Sequence, residues 1–300
     1  MYRERSQPQT NPSPKCQSGE QQAGGAEGVR AECGTGFLPA RRDRQTGLKA
    51  GPTSQPMTVT SIVLAGTQSW GECPLERVVP RPLAPIINVP LVNHVLSWLG
   101  ETGITRASIC GNSITRLLRN RLGGGGNGNG SGVPQCLKID YYQDVAPRGP
   151  AGCVKDAGSC HRFDACVVVE GTILPTLDLS VVIEAHQRSG ASLTVVVYNG
   201  KRDRDAGDEV LVPLGIYIFS RRALDYIPVL GYQDIKETLI PRLYQCGESV
   251  LTYRTEFPAA RVTSVDSYLA VNEWALSVLV ERGREHVDYG TGFCGTGFPA

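Results

Sequence analysis

The chain has almost no surplus of charge: 30 Lys+Arg stand against 29 Asp+Glu over 300 residues, for a net charge of +1. That balance gives no electrostatic footprint for nucleic acid or a membrane surface as a partner. No apolar run reaches the roughly 18 residues that a membrane-spanning helix needs. Positions 1–50 hold no apolar core of the signal-peptide kind. Both absences point to a soluble, cytoplasmic protein. The 10 cysteines are scattered and lack the tight Cys-x2-Cys pairs of zinc sites, so most are expected as small buried thiols. Cys153, Cys160, His161 and Cys166 come nearest to a metal cluster, and their spacing reads as structural. The run from Gly123 to Gly132 lacks the Gly-Lys-Ser/Thr ending of a phosphate loop. It leads into Val133-Pro134 and is expected to be a surface loop. Lys201-Arg202-Asp203-Arg204-Asp205 is expected to be a solvated loop as well.

The ends of the chain differ from its middle. Residues 1–56 are rich in Gln, Gly, Pro, Ser and Arg and contain no aliphatic run. Such a segment cannot bury enough apolar surface to offset its ordering entropy, and it is predicted to be disordered. Gly34-Thr35-Gly36-Phe37 recurs as Gly290-Thr291-Gly292-Phe293 and Gly295-Thr296-Gly297-Phe298. These copies are too short to be solenoid repeats with a buried face. They read as a translated repetitive element, with Met57 as the expected biological start and 289–300 as a repeat-like tail. One patterned domain remains, 57–288.

Within it, strand and helix signals alternate. Val59 to Leu64 is a short apolar run that ends at Ala65-Gly66, a buried strand meeting a turn. Leu91, Val95, Trp98 and Leu99 share one helical face. Ile104 to Cys110 and Ala165 to Val169 read as strands, as do Ser192 to Tyr198, Leu214 to Phe219 and Ser249 to Arg254. Asp178 is placed to cap a helix whose inner face is Leu179, Val182, Ile183 and His186. Further helices are expected to carry Ile235, Leu239 and Leu243, and to span Ser267 to Val280. His94 and His186 are expected at the helix surface or boundary. The fold class is therefore α/β, Rossmann-like, with a mainly parallel sheet covered by helices on both faces. Ligands of such sheets lie beyond the carboxyl ends of the strands, so the turn after Leu64 is the first candidate site.

That turn runs Leu64-Ala65-Gly66-Thr67-Gln68-Ser69-Trp70-Gly71, followed by Pro80-Arg81-Pro82-Leu83-Ala84-Pro85-Ile86 and then Asn88-Val89-Pro90-Leu91. Further on come Tyr142-Gln143-Asp144, Gly149-Pro150-Ala151-Gly152, Glu170-Gly171-Thr172, Gly215-Ile216-Tyr217-Ile218-Phe219, Pro241-Arg242-Leu243 and Asp266-Ser267-Tyr268-Leu269. In this order the segments resemble the sugar-1-phosphate nucleotidyltransferases over nearly all of 57–280. The resemblance implies transfer of a nucleotidyl group from a nucleoside triphosphate to a sugar-1-phosphate, releasing pyrophosphate. It implies Arg81 as the cation that neutralises phosphate charge. It implies Leu64, Ala65, Gly66, Gln143, Gly149, Ala151, Gly152 and Gly171 as the nucleotide- and substrate-binding set. It also implies Mg2+, held by two Asp residues.

The chain departs from that pattern at the metal and phosphate positions. Gly71 stands where the turn has its Arg, and Thr67 and Ser69 replace two glycines. Arg81 replaces a Lys, keeping the charge but changing its shape. Thr172 and Arg261 fall where the two metal carboxylates belong, so no metal ligands are expected. Three readings follow: an active nucleotidyltransferase; a relative without catalysis that binds a nucleotide, a sugar phosphate or a protein; and a truncated or decayed gene product. The base, the sugar and the oligomeric state are not specified by these residues.

Overall fold

The computed structural model describes residues 57–66, 75, 78–123, 133–143, 147–199, 211–256 and 260–287. The 1–56 extension, the turn residues 67–74 with Trp70, most of the glycine run, the charge run at 201–205 and the 289–300 tail lie outside the described residues.

The strands are β1 (Val59–Leu64), β2 (Pro85–Ile86), β3 (Val89–Pro90), β4 (Arg106–Cys110), β5 (Lys138–Tyr142), β6 (Ala165–Glu170), β7 (Ile173–Leu174), β8 (Leu193–Asn199), β9 (Leu211–Ser220), β10 (Val250–Thr255) and β11 (Ala260–Arg261). The helices are α1 (Leu91–Glu101), α2 (Thr115–Leu122), α3 (Gly149–Ser159), α4 (Leu179–Ser189), α5 (Ile240–Gln245) and α6 (Val265–Val287). Seven strands form one sheet in the order β10-β8-β9-β6-β1-β4-β5. All neighbours are parallel except β9, which is antiparallel to both β6 and β8. The sheet is thus mainly parallel, as the alternation of strands and helices predicts.

Strand periodicity divides the core. Val63, Val167, Val169, Ile216 and Ile218 face one side, where α1, α2 and α4 pack. Ile62, Leu64, Cys166, Val168, Tyr217 and Phe219 face the other, where α3 and α5 pack. This is the alternation that a sheet covered on both faces requires. A smaller layer of Ile86, Leu91, Leu174, Val262, Val271 and Ala275 fastens α6 beside β2, β7 and β11.

Local chemistry accounts for the helix ends. The Asp178 carboxylate accepts from the Ser180 amide at 2.9 Å and caps α4. Leu91, Val95 and Leu99 are fully buried on α1, and Trp98 Nε1 donates to the Leu177 carbonyl at 2.8 Å, which ties α1 to the start of α4. The helix expected through Ile235, Leu239 and Leu243 begins as a π-helical turn, Ile235–Leu239, before α5. Pro241 has no N–H to give to the preceding turn, so a regular α-ladder cannot run through it.

Two expectations are corrected. His186 is buried, not at the surface, with 3% of its area exposed. Its Nδ1 lies 2.7 Å from Thr194 Oγ1 and its Nε2 3.1 Å from Ser220 Oγ, two polar partners that permit burial. Of the free thiols described, Cys110, Cys153 and Cys166 are buried as expected, and Cys136 and Cys246 are exposed. The last helix also runs longer than its apolar pattern, from Val265 to Val287.

Candidate functional site

The site is built at the carboxyl ends of the parallel strands. Leu64 sits between Cys110 of β4 and Glu170 of β6 in register. Past it, the Ala65 and Gly66 amides both donate to the Cys110 carbonyl, at 2.8 and 3.0 Å. The Gly171 amide donates to the Leu64 carbonyl at 2.9 Å, which joins the ends of β1 and β6. A Cβ on Gly66 would lie 2.6 Å from the Gly111 carbonyl carbon and oxygen. Glycine at this position is therefore demanded by backbone packing.

Of the other sequence-predicted residues, Gly149, Ala151 and Gly152 form the first turn of α3. Gly149 and Ala151 face the chain's own Tyr232–Gln233 segment, whereas Gly152 lies against the Arg148 side chain. The Ala151 amide donates to the Gln233 carbonyl at 3.0 Å, and the Gln233 amide donates to the Arg148 carbonyl at 2.7 Å. A Cβ on Gly149 would lie 2.5 Å from that Gln233 oxygen and 3.0 Å from the Tyr232 ring. Gln143 is exposed, one residue past the end of edge strand β5. Arg81 begins a short 3-10 turn, Arg81–Leu83, that packs on α1, and only 3% of it is exposed. A guanidinium is rarely buried unless other groups pair with it, so Arg81 is not a solvated loop cation. The structure thus brings Leu64, Ala65, Gly66 and Gly171 together. Pro150 joins them across a small cavity, while Gln143 and Arg81 stand on separate elements.

That cavity, of about 120 Å³, is lined by Leu64, Pro150, Glu170, Tyr217, Tyr232, Asp234, Ile235 and Lys236. It is smaller than the roughly 300–1,000 Å³ usual for small-molecule pockets. Asp234 is already engaged, accepting from the Lys236 and Glu237 amides at 2.6 and 2.9 Å. The Tyr217 hydroxyl is raised above the usual phenol range, first by burial and then by the Glu170 and Asp234 charges, with Arg261 opposing. It stays protonated as a donor at neutral pH. Glu170, Tyr217 and Lys236 line this cavity but are not in the binding set that the resemblance implies. The signal for Glu170 is in the sequence, since it is the charged residue that ends an otherwise apolar strand.

The two positions where the resemblance puts metal carboxylates do meet. Arg261 pairs with Ile173 across β11 and β7, and the Val262 amide donates to the Thr172 carbonyl at 3.2 Å. The groups present do not fit Mg2+. Arg261 Nη1 lies 2.9 Å from Glu170 Oε2, so the nearest carboxylate is bonded to a cation of the chain itself. Thr172 offers no charge. Among the described residues no three His, Cys, Asp or Glu side chains converge. A hard divalent ion needs several anionic or neutral oxygens and is repelled by a guanidinium.

Comparison with known proteins agrees with this architecture. The chain is similar to mannose-1-phosphate guanylyltransferase of Mycobacterium tuberculosis, at 25% identity over 210 residues, covering 63% of this chain and 56% of that protein. It is similar to UTP–glucose-1-phosphate uridylyltransferase of Synechocystis, at 24% identity over 238 residues, covering 69% and 61%. The chain spans about three fifths of the length of these relatives. No family model matches. Among solved structures, a putative glucose-1-phosphate thymidylyltransferase from Bacillus anthracis superposes with a TM-score of 0.58 at 17% identity, covering 72% of this chain and 95% of that one. HddC from Yersinia pseudotuberculosis superposes with a TM-score of 0.54 at 18% identity, covering 72% and 99%. The fold is that of the nucleotidyltransferases, and in sequence the chain resembles the sugar-1-phosphate members. No described helix is long and apolar enough to cross a membrane.

Proposed function

We propose that this chain acts on a nucleoside triphosphate and a sugar-1-phosphate, transferring the nucleotidyl group to give a nucleotide sugar and pyrophosphate. The observation that carries the reading is the crevice at the ends of β1 and β6, in a fold and sequence resembling enzymes of this class. In the reaction an oxygen of the sugar phosphate forms a bond to the α-phosphorus as the bond to the leaving pyrophosphate breaks. The protein's task in such in-line transfer is positioning and charge neutralisation. Leu64, Ala65, Gly66, Gly171 and the start of α3 are proposed to line the ligand. Arg81 is proposed to meet its phosphate charge.

One observation favours a second reading. The Glu170–Arg261 pair stands where the reaction's metal is expected, which supports binding of the same ligands without turnover. The deciding experiment offers the full chain, with Mg2+, pooled nucleoside triphosphates and pooled sugar-1-phosphates while pyrophosphate is followed. Release above a protein-free blank, lost in a folded Arg81→Ala variant, supports the transferase. No release, together with a thermal shift by the same pools, supports the binding relative. Neither signal from a folded sample rejects both.

A further inference from the structure

We infer that the Arg261 guanidinium supplies, as a fixed cation, the positive charge that a divalent ion is expected to bring to this crevice, so that a phosphate-bearing ligand binds here without a metal. The inference rests on the phosphate-ligand reading above.

Arg261 lies on β11, whose pairing with β7 fixes it beside Thr172, and it borders the crevice through Glu170 on the cavity wall. Its Nη1 donates to Glu170 at 2.9 Å, and its Nη2 lies 3.5 Å from the Pro213 carbonyl. Both groups crowd the space over Gly215: a Cβ there would lie 2.6 Å from Glu170 Cδ and 2.9 Å from Arg261 Nη2. The cation is therefore built into the fold on three sides. Arg261 occupies the carboxylate of Glu170 on the cavity wall, so that carboxylate is not open to a divalent ion. Arg261 keeps 27% of its side chain exposed against 13% for Glu170, so the cation is the more accessible member of the pair. A guanidinium has five N–H donors in a planar fork that matches phosphate oxygens, and the bonds above engage only part of it. The surrounding chemistry thus disfavours a divalent ion and presents a donor fork for an anion.

The test is calorimetric titration of the full chain with each of the four common nucleoside triphosphates and with glucose-1-phosphate, in EDTA and in excess Mg2+. At least one probe is expected to bind in EDTA about as tightly as in Mg2+. Arg261→Gln is expected to weaken that binding by about tenfold or more, the loss of a charge-assisted hydrogen bond. The double variant Glu170→Gln/Arg261→Gln keeps a neutral pair of similar shape and leaves no unpaired buried charge. It is expected to show the same loss while melting cooperatively. Binding that appears only with Mg2+, or wild-type affinity in the folded double variant, overturns the inference and leaves the phosphate-ligand reading standing. Failure of every probe in both conditions removes that reading and the inference with it.

Discussion

Arg261 and Glu170, far apart in the chain, meet with Nη1 and Oε2 at 2.9 Å because Gly215 has no side chain to stand between them. Gly215 has a φ of +77°, in the left-handed region, at the point where β9 passes the end of β6. Three residues from three strands are therefore one unit.

Gly215→Ala tests that unit. The new methyl meets Glu170 and Arg261 at under 3 Å and the backbone is strained, so a loss of about 2 kcal/mol or more is expected. The urea midpoint measures it. A midpoint equal to wild type would show that the pair moves aside freely.

His186 predicts a pH dependence. Ser220 Oγ donates to the Ala191 carbonyl at 2.6 Å, so it accepts from His186 Nε2–H, and Nδ1 accepts from Thr194. The ring is thus neutral. Burial, with the Arg222 charge adding to it, lowers its pKa to about 4 from 6.5. The unfolded chain takes up this proton first as pH falls. The contribution is whole above pH 6.5 and is lost as pH falls through about 4. At pH 4 the loss is about 3 kcal/mol relative to pH 7. Denaturant titrations of wild type and His186→Gln at both pH values measure it, with the acid loss expected smaller in the variant. Equal losses would refute the assignment.

Asp178→Ala removes the α4 cap. The Ser180 amide loses its acceptor, and about 1 kcal/mol of stability is expected to go with it. Asp178→Asn, which still accepts, should retain most of it in the same denaturation assay.

Trp98→Phe probes the tie between α1 and α4. It keeps an aromatic side chain but removes the donor to the Leu177 carbonyl and some buried volume, so a loss of about 1–3 kcal/mol or more is expected. Thermal melting should show the drop without loss of helical ellipticity.

What the residues disclose before folding is governed by distance along the chain. The α1 face, the Asp178 cap and the buried strands depend on neighbours a few positions away, and their periodicity is visible in the letters. The reversed direction of β9 is less legible, because an apolar run looks the same in either orientation. The Glu170–Arg261 pair and the docking of Gln233 on the α3 turn arise from contacts between distant segments. The motifs could place Thr172 and Arg261 at one site by likeness. They could not show that Glu170 would already hold the guanidinium. Burial of His186 needed partners from two other elements, Thr194 and Ser220, that its own helix pattern does not contain.

The reversal of β9 has an engineering consequence. Because β9 runs against β6 and β8, Asn199 and Leu211 pair with each other at the same sheet end as Leu64 and Glu170. The connection between them therefore starts and ends on anchors that belong to a ladder fixed by the core. Grafting or randomising only that connection would leave the load on the sheet unchanged, because Asn199 and Leu211 stay paired at its two ends.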